Sequence, residues 1–560
     1  MADDLAAQWI MRPGLDPTSA PNKPPLPPID YVQSHESGLF VERNVAIRLR
    51  DGVRIFCDVY RPEGSAGRTD LAALLSWSPY GKHARSNQVF WPRSGVDPSW
   101  LSPLTPFEGA DPVAWCAAGY AVIVVDPRGA WLSEGDFHHN GLVEAQDCAE
   151  TIAWIADQPW SNGKVGMTGV SYLAAIQFWV ASLNPPALAA INPWEGFTDW
   201  YRDFAYHGGI LETGFVPRAS DAIAYSRFRT EDTWSNVRAH PLIDPFWESK
   251  EIDLEAIKTP AYVVASWSDQ GLHTRGTLEG YKRLSSAQKW LEVHGQKKWA
   301  HYYRPDSQER RRAFFDHFLK DRETSLPAWP PVRIEIRDRA GAAESRDERE
   351  WPLRRTVPTR LWLSPGAQLT MGEPPRERGP TAYDAATGNA TFDIRFTAPT
   401  EITGHAKLRL WIEADGSDDA DLFVALEKLD AQGEPVGMTF YAFFEDGPVA
   451  LGWLRASHRE LDPRRSTDLQ PFHSHRRENR LVSGEIVPVD IELWPSATRF
   501  AAGETLRLII QGRDIHAEGA PRLPFARHEQ TRNTGLHVLH WGGEHDSHLL
   551  VPVIPTEKPA

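Results

Sequence analysis

The chain has 560 residues, 41% hydrophobic and 24% charged, a composition ordinary for a folded protein and a length that calls for two or three domains. Its net charge of −15 excludes nucleic acid and anionic membranes as partners, because both need a basic surface. No apolar run approaches the roughly 18 residues of a membrane span, and residues 1–15 lack the basic-then-apolar pattern of a secretory leader. Cys57, Cys116 and Cys148 are the whole cysteine complement. So sparse and odd a set builds no disulfide framework and fits a reducing, cytoplasmic setting.

In chain order, residues 11–30 carry seven prolines and read as an extended arm lying over the body or over a neighbouring subunit, which leaves a homo-oligomer open. VERNVAIRLRDGVRIFCDVYRP follows as two alternating strands turned at Asp51-Gly52. From residue 71, buried strands alternate with helices: LAALLSW, AVIVV (121–125), KVGMT (164–168), ALAAIN (187–192), AYVVASW (261–267) and KWLEV (289–293). Helical spacing recurs at 143–157, with Val143, Cys148, Ile152 and Ile155 on one face, and at 307–320. Alternation of this kind predicts a parallel sheet covered on both faces. Residues 194–255 interrupt it with a tryptophan-rich insertion placed to cap the carboxyl edge of the sheet. Beyond about residue 328 only alternating strands remain, predicting a β-sandwich of jelly-roll type. The expected domains are an arm (1–38), an α/β body (39–193 and 256–327), a cap (194–255) and a jelly roll (328–560).

Ligands of an open parallel sheet bind beyond the carboxyl ends of its strands. Ser171 follows KVGMT-Gly169-Val170, Asp269 follows AYVVASW, and His294 follows KWLEV. Serine is also a good helix N-cap, so Ser171 alone decides little. Three strand ends supplying nucleophile, acid and base in the order Ser, Asp, His decide more. In that reading His294 takes the proton of Ser171, and Asp269 orients the imidazole. The N–H of Tyr172 supplies one oxyanion donor, and the hydroxyl of Tyr80 in SPYGK the second. A backbone N–H near Gly81 is the fallback.

These segments resemble a family. SPYGK, VDPRGAWLSEGDF, QPWSNGKVGMTGVSY, WSD and FFDHFLK are similar to the cocaine esterase family, which also holds α-amino-acid ester hydrolases and Xaa-Pro dipeptidyl-peptidases. The resemblance runs from about residue 40 to the end. It implies an α/β-hydrolase body with a helical cap and a C-terminal jelly roll. It also implies that Ser171 lies in the family's G-x-S-Y, Tyr80 in its P-Y segment and Asp269 in its W-x-D. Arg128 and Glu134 lie in a marker stretch near the site and read as structural. Leu173-Ala174 replaces a glycine often found after S-Y. Some members carry the histidine in W-x-H, which points to His301; others point to His294, preferred here because it directly follows a strand. His273 and His317 fall on predicted helices and read as structural.

The expected activity is cofactor-independent hydrolysis of a small carboxylic ester through an acyl-enzyme. The alternative is cleavage of amides, Xaa-Pro peptides or α-amino-acid esters, which needs an acidic anchor for the substrate amine. Glu195, Asp199, Asp203 and Glu212 are the candidates in the cap. His138-His139, His473/His475 and His545/His548 lack ligands at a standard metal spacing and read as polar loop residues. No phosphate loop or dinucleotide fingerprint is present. A sandwich alone would also suit a carbohydrate-binding protein, but a binding module needs no nucleophile.

Overall fold

The computed structural model describes residues 9–20, 30–83, 91–515 and 526–555. Its centre is a sheet of eight strands: β1 (Leu39–Arg48), β2 (Arg54–Pro62), β3 (Leu71–Trp77), β4 (Tyr120–Asp126), β5 (Ser161–Val170), β6 (Leu188–Trp194), β7 (Ala261–Ser266) and β8 (Lys289–His294). The strands lie in the order β1-β2-β4-β3-β5-β6-β7-β8. β2 runs antiparallel to both its neighbours; from β4 to β8 every pairing is parallel. Every residue of β3 and β4 is buried, which is why both read as unbroken apolar runs rather than alternations.

Helices α1 (Leu142–Ala156) and α2 (Tyr172–Ser182) bury Cys148, Ile152, Ile155, Ile176 and Phe178 against one face of the sheet. The long helix Pro305–Lys320 brings Phe314, Phe315 and Leu319 to the other. Between β6 and β7 the cap holds a π-helical turn (Trp200–Ala205), the helix α3 (Phe215–Ala222) and two shorter helices, Thr233–Ala239 and Pro245–Glu248.

Beyond β8 the sheet continues into Val332–Arg339, where Leu291 lies opposite Val332 in parallel register. Two antiparallel layers then form the jelly roll. Thr400–Asp415 and Ile486–Phe500 run side by side in one, and Asp421–Leu429 and Thr505–Gln511 in the other. Leu408, Leu410, Leu422, Val424, Ile491 and Leu508 fill the space between them.

Two features differ from the sequence reading. Val32–Glu36 is a further strand, joined to β1 by a tight turn in which Ser37 and Gly38 both have positive φ. Its largely exposed side chains gave it no apolar signature. The arm also has a definite place at its start: Met11–Pro13 pairs with Arg229–Glu231 of the cap in the same chain. The rest of its proline run, residues 21–29, lies outside the described residues. Among the described residues no helix is long and apolar enough to cross a membrane.

Candidate active site

β5 ends at Val170, and Ser171 follows with φ 60° and ψ −115°, in the left-handed region that side-chain-bearing residues rarely enter. The turn is held from both sides. The Ser171 N–H donates to the Trp194 and Glu195 carbonyls, and the Ser171 carbonyl accepts from Ala174 and Ala175. A Cβ at Gly169 would lie 2.4 Å from Leu173 Cβ, so only glycine lets α2 fold back this closely. Ser171 occupies the N-cap position, yet its side chain does not cap the helix. Its Oγ lies 3.1 Å from His273 Nε2 instead.

His273 arises locally. After β7 the chain passes Asp269 and turns at Gly271, φ 92°, so that the Asp269 carbonyl accepts the N–H groups of His273 and Thr274 at 3.1 and 3.2 Å. That turn opens helix α4 (Thr274–Arg283) and sets His273 four residues on from Asp269, on the same side of the turn. His273 Nδ1 is 2.5 Å from Asp269 Oδ2. The structure therefore brings Ser171 and Asp269 together with His273.

His294, expected at this position, lies elsewhere. Its Nε2 is 3.1 Å from Glu195 Oε1, and its ring packs at 3.8 Å between centroids on His301. His301 Nε2 in turn is 2.9 Å from Glu292 Oε1. Burial pushes the His294 imidazole down to about 4 and the Glu195 carboxyl up to about 8, disfavouring the charged form of each. His294 does directly follow β8, but the turn after β7 already occupies the space over the serine.

Lys298 completes the charge arrangement. It opens helix α5 (Lys298–Tyr303), and its Nζ is 2.7 Å from Asp269 Oδ2 and 3.2 Å from His273 Nδ1. Burial alone would raise the Asp269 carboxyl, but Lys298 and His273 outweigh it and hold Asp269 well below the usual range. Burial, and then the Lys298 charge, push the His273 imidazole down, against the opposing pull of Asp269 and Glu195. A cation beside an imidazole disfavours its protonated form, so removing the cation raises the imidazole pKa. Only neutral His273 can accept a proton. Lys298→Met is therefore expected to move the acid limb of the kcat/KM profile to higher pH. A limb that stays put or moves down would remove Lys298 from this role.

Tyr80 stands on the loop after β3. Its hydroxyl interacts with the Ser171 side chain and the Glu108 carboxyl, while burial, and then Glu108, keep the phenol strongly protonated. The stretch from Asp126 to Phe137 holds this loop. Asp126 Oδ1 accepts the Lys82 N–H at 2.6 Å, and the Trp131 indole donates to the Pro79 carbonyl at 3.0 Å. Arg128 pairs with Asp147 and Asp51, and Glu134 with Arg54, so both act in the scaffold. The Tyr172 N–H, first in α2, points out of the helix start with no partner required of it within the helix. The Tyr172 hydroxyl is tied at 2.7 Å to Glu144. If Tyr80 is an oxyanion donor, Tyr80→Phe should cut kcat by roughly 10²–10³ with little change in KM. Normal kcat with a lowered melting temperature would make it a core tyrosine, worth about 1 kcal/mol.

A cavity of about 230 Å³ opens over Ser171. Its walls are mostly aromatic: Phe107 and Trp299 from the body, Phe197, Trp200, Phe204 and Phe215 from the cap. Tyr441 and Phe443 come from the jelly roll, through a loop anchored by the Tyr441 N–H on the Ser268 carbonyl at 2.9 Å. Sequence reasoning missed this contribution, since nothing local signals so distant a contact.

None of the four acidic cap residues lines this cavity. Glu195 is fully buried behind the serine turn. Asp199 pairs with Arg202, and Asp203 with Arg275. Glu212 accepts the N–H groups of Gly214, Phe215 and Val216 at the start of α3.

Two of the histidine pairs are packed into the structure rather than loop polarity. His139 is buried between the Thr230 and Thr233 hydroxyls, and His475 lies against His458. Among the described residues no cluster of three or more His, Cys, Asp or Glu side chains could hold a metal.

The fold is that of an α/β-hydrolase with a cap and a C-terminal jelly roll, and the chain is a serine hydrolase. Residues 51–303 match the family model described as X-Pro dipeptidyl-peptidase (S15 family). Residues 327–550 match that of the X-Pro dipeptidyl-peptidase C-terminal non-catalytic domain. A crystal structure of a CocE/NonD family hydrolase from Staphylococcus aureus superposes with a TM-score of 0.88 at 38% identity, covering 92% of this chain and 94% of that one. Cocaine esterase from Rhodococcus sp. is 25% identical over 92% of this chain and 98% of its own length. An α-amino acid ester hydrolase shares the fold, with a TM-score of 0.70 at 18% identity, over 94% of this chain and 98% of its own. The protein belongs to the CocE/NonD family of hydrolases.

Proposed function

We propose that the protein hydrolyses carboxylic esters through an acyl-enzyme on Ser171, with His273 as the base and Asp269 orienting it. Ser171 gives its proton to His273 Nε2 as Oγ attacks the carbonyl carbon. Asp269, held ionised by Lys298, stabilises the resulting imidazolium. The carbonyl oxygen, now negative, accepts from the Tyr80 hydroxyl and the Tyr172 N–H, each worth about 2.7–4 kcal/mol of transition-state stabilisation. His273 then protonates the departing alcohol. Water, deprotonated by the same nitrogen, releases the acid and restores Ser171.

One observation favours esters over Xaa-Pro peptides and aminoacyl substrates: both carboxyls that line the cavity are poor anchors for a substrate ammonium. Its two lining acids are Asp269 and Glu108. Asp269 is taken by His273 and Lys298. Glu108 accepts the Trp299 indole N–H at 2.9 Å, and burial pushes it up to about 7. A carboxyl whose charged form burial disfavours is a poor anchor for an ammonium ion. Initial rates on p-nitrophenyl acetate and butyrate beside Gly-Pro and Ala-Pro p-nitroanilide test the reading. Ester kcat/KM should exceed that of both anilides, which lose the binding energy of an amine anchor. An anilide turned over faster than the esters would overturn it.

A further inference from the structure

The cavity wall contributed by α3 contains one residue out of keeping with the rest. Phe215, Arg218, Ala219 and Ala222 line the cavity at spacings of three, four and seven from the first, the single face of a helix. Three of the four are apolar. Arg218 has no hydrogen bond, ion pair or ring contact among the described residues. Burial pushes its guanidinium below the usual value, and no carboxylate opposes that push. By contrast, Arg202, Arg275 and Arg12 have carboxylate partners.

The nearby acids are diverted from Arg218. Asp221, three residues on and thus on an adjoining part of the same helix, is paired at 2.7 Å with Arg12 of the N-terminal arm. Glu212 spends both oxygens on backbone N–H groups at the start of α3 and on the Arg527 N–H. Those bonds also fix the start of the helix. Arg218 lies on the cavity wall but is solvent-exposed, and no carboxylate among the described residues neutralises it, so its charge is open to an anionic group of a ligand in the cavity. Guanidinium binds a carboxylate through two parallel N–H···O bonds, which gives orientation as well as energy.

Resting on the ester reading above, we propose that Arg218 binds a carboxylate on the substrate remote from the scissile carbonyl, so that the preferred substrates are anionic hemiesters or carboxylated aryl esters. The apolar chain or ring between the two groups lies along Phe197, Phe204 and Phe215, with the reacting carbonyl at Ser171. The same charge disfavours substrates carrying a free ammonium at that end.

Two matched pairs test this and locate the carboxylate. Mono-4-nitrophenyl adipate against 4-nitrophenyl methyl adipate places it in the acyl half; 4-acetoxybenzoate against methyl 4-acetoxybenzoate places it in the leaving half. For at least one pair the wild-type anionic-to-neutral ratio of kcat/KM should exceed about 10, carried mainly by KM. Arg218→Gln should lower that ratio by about 10–100-fold, the range for losing a hydrogen-bonded charge. Arg218→Glu should invert it, and Arg218→Lys should restore part of it. Ratios equal in wild type and Arg218→Gln for both pairs would overturn the proposal and leave the ester reading standing.

Turnover is not the only readout. Calorimetric binding of 4-acetamidobenzoate and of adipate to Ser171→Ala protein should weaken about tenfold for at least one ligand when Arg218→Gln is added. Neither ligand weakening would reject the site even if the ester chemistry itself failed.

Discussion

Ser171→Ala is expected to lower kcat on a p-nitrophenyl ester by about 10⁶-fold while the protein stays folded, the loss typical when a nucleophile is removed from a group acting as one unit. What remains, on the order of 10³-fold over water, comes from the oxyanion donors and binding. The melting temperature should barely move, because the lost hydroxyl serves His273 and makes no bond to helix α2. The strained backbone at Ser171 is retained by either side chain, so no relief of strain confuses the comparison. Near-native activity in the purified variant would mean that the left-handed turn is only a way of starting a helix. Activity lost together with the fold would be uninformative about chemistry, and circular dichroism on the same sample separates the two.

His273→Ala should be as damaging as the serine change, again about 10⁶-fold. His294→Ala should be far milder in catalysis, since its imidazole faces Glu195 and His301 rather than Ser171. Its cost should fall on stability. His294 is fully buried, and truncating it leaves a cavity beneath Trp194 and strips Glu195 of its neighbour. Losses of about 2–4 kcal/mol are ordinary for such a change. The distinction is legible in one experiment on purified variants: a collapse in kcat for His273→Ala, and a near-normal kcat with a lowered melting temperature for His294→Ala. If His294→Ala destroyed kcat and His273→Ala did not, the base would return to the end of β8.

The body of the fold was readable because its strands are short, buried and separated by helices of clear period. The ends of β5, β7 and β3 carry Ser171, Asp269 and Tyr80 into one cavity, as the rule for parallel sheets requires. The same rule misplaced the histidine. It assumes that each group comes from a different strand end, whereas Asp269 and His273 share one. The signal was present as Asp269-Gln-Gly-Leu-His273: an acid, a glycine able to take φ 92°, and a histidine four residues on at the opening of a helix. Read as the interior of a helix, His273 appeared structural; read as its first turn, it faces back over the strand end. Lys298 was invisible for a different reason, because its contact with Asp269 spans 29 residues. Tyr441 and Phe443 come from further still, across the join between body and jelly roll, where local periodicity carries no information. The strand Val32–Glu36 escaped because its exposed face has no apolar alternation.

The most direct test of the Ser171–His273 pairing is fluorophosphonate labelling followed by peptide mass spectrometry on three proteins: wild type, His273→Ala and His294→Ala. Phosphonylation needs a serine whose proton can be taken by a neighbouring base. The expected result is a single adduct on the peptide containing Ser171 in the wild type and in His294→Ala, with labelling slowed by orders of magnitude in His273→Ala. Full labelling of Ser171 in His273→Ala together with its loss in His294→Ala, or an adduct on any other residue, would contradict it.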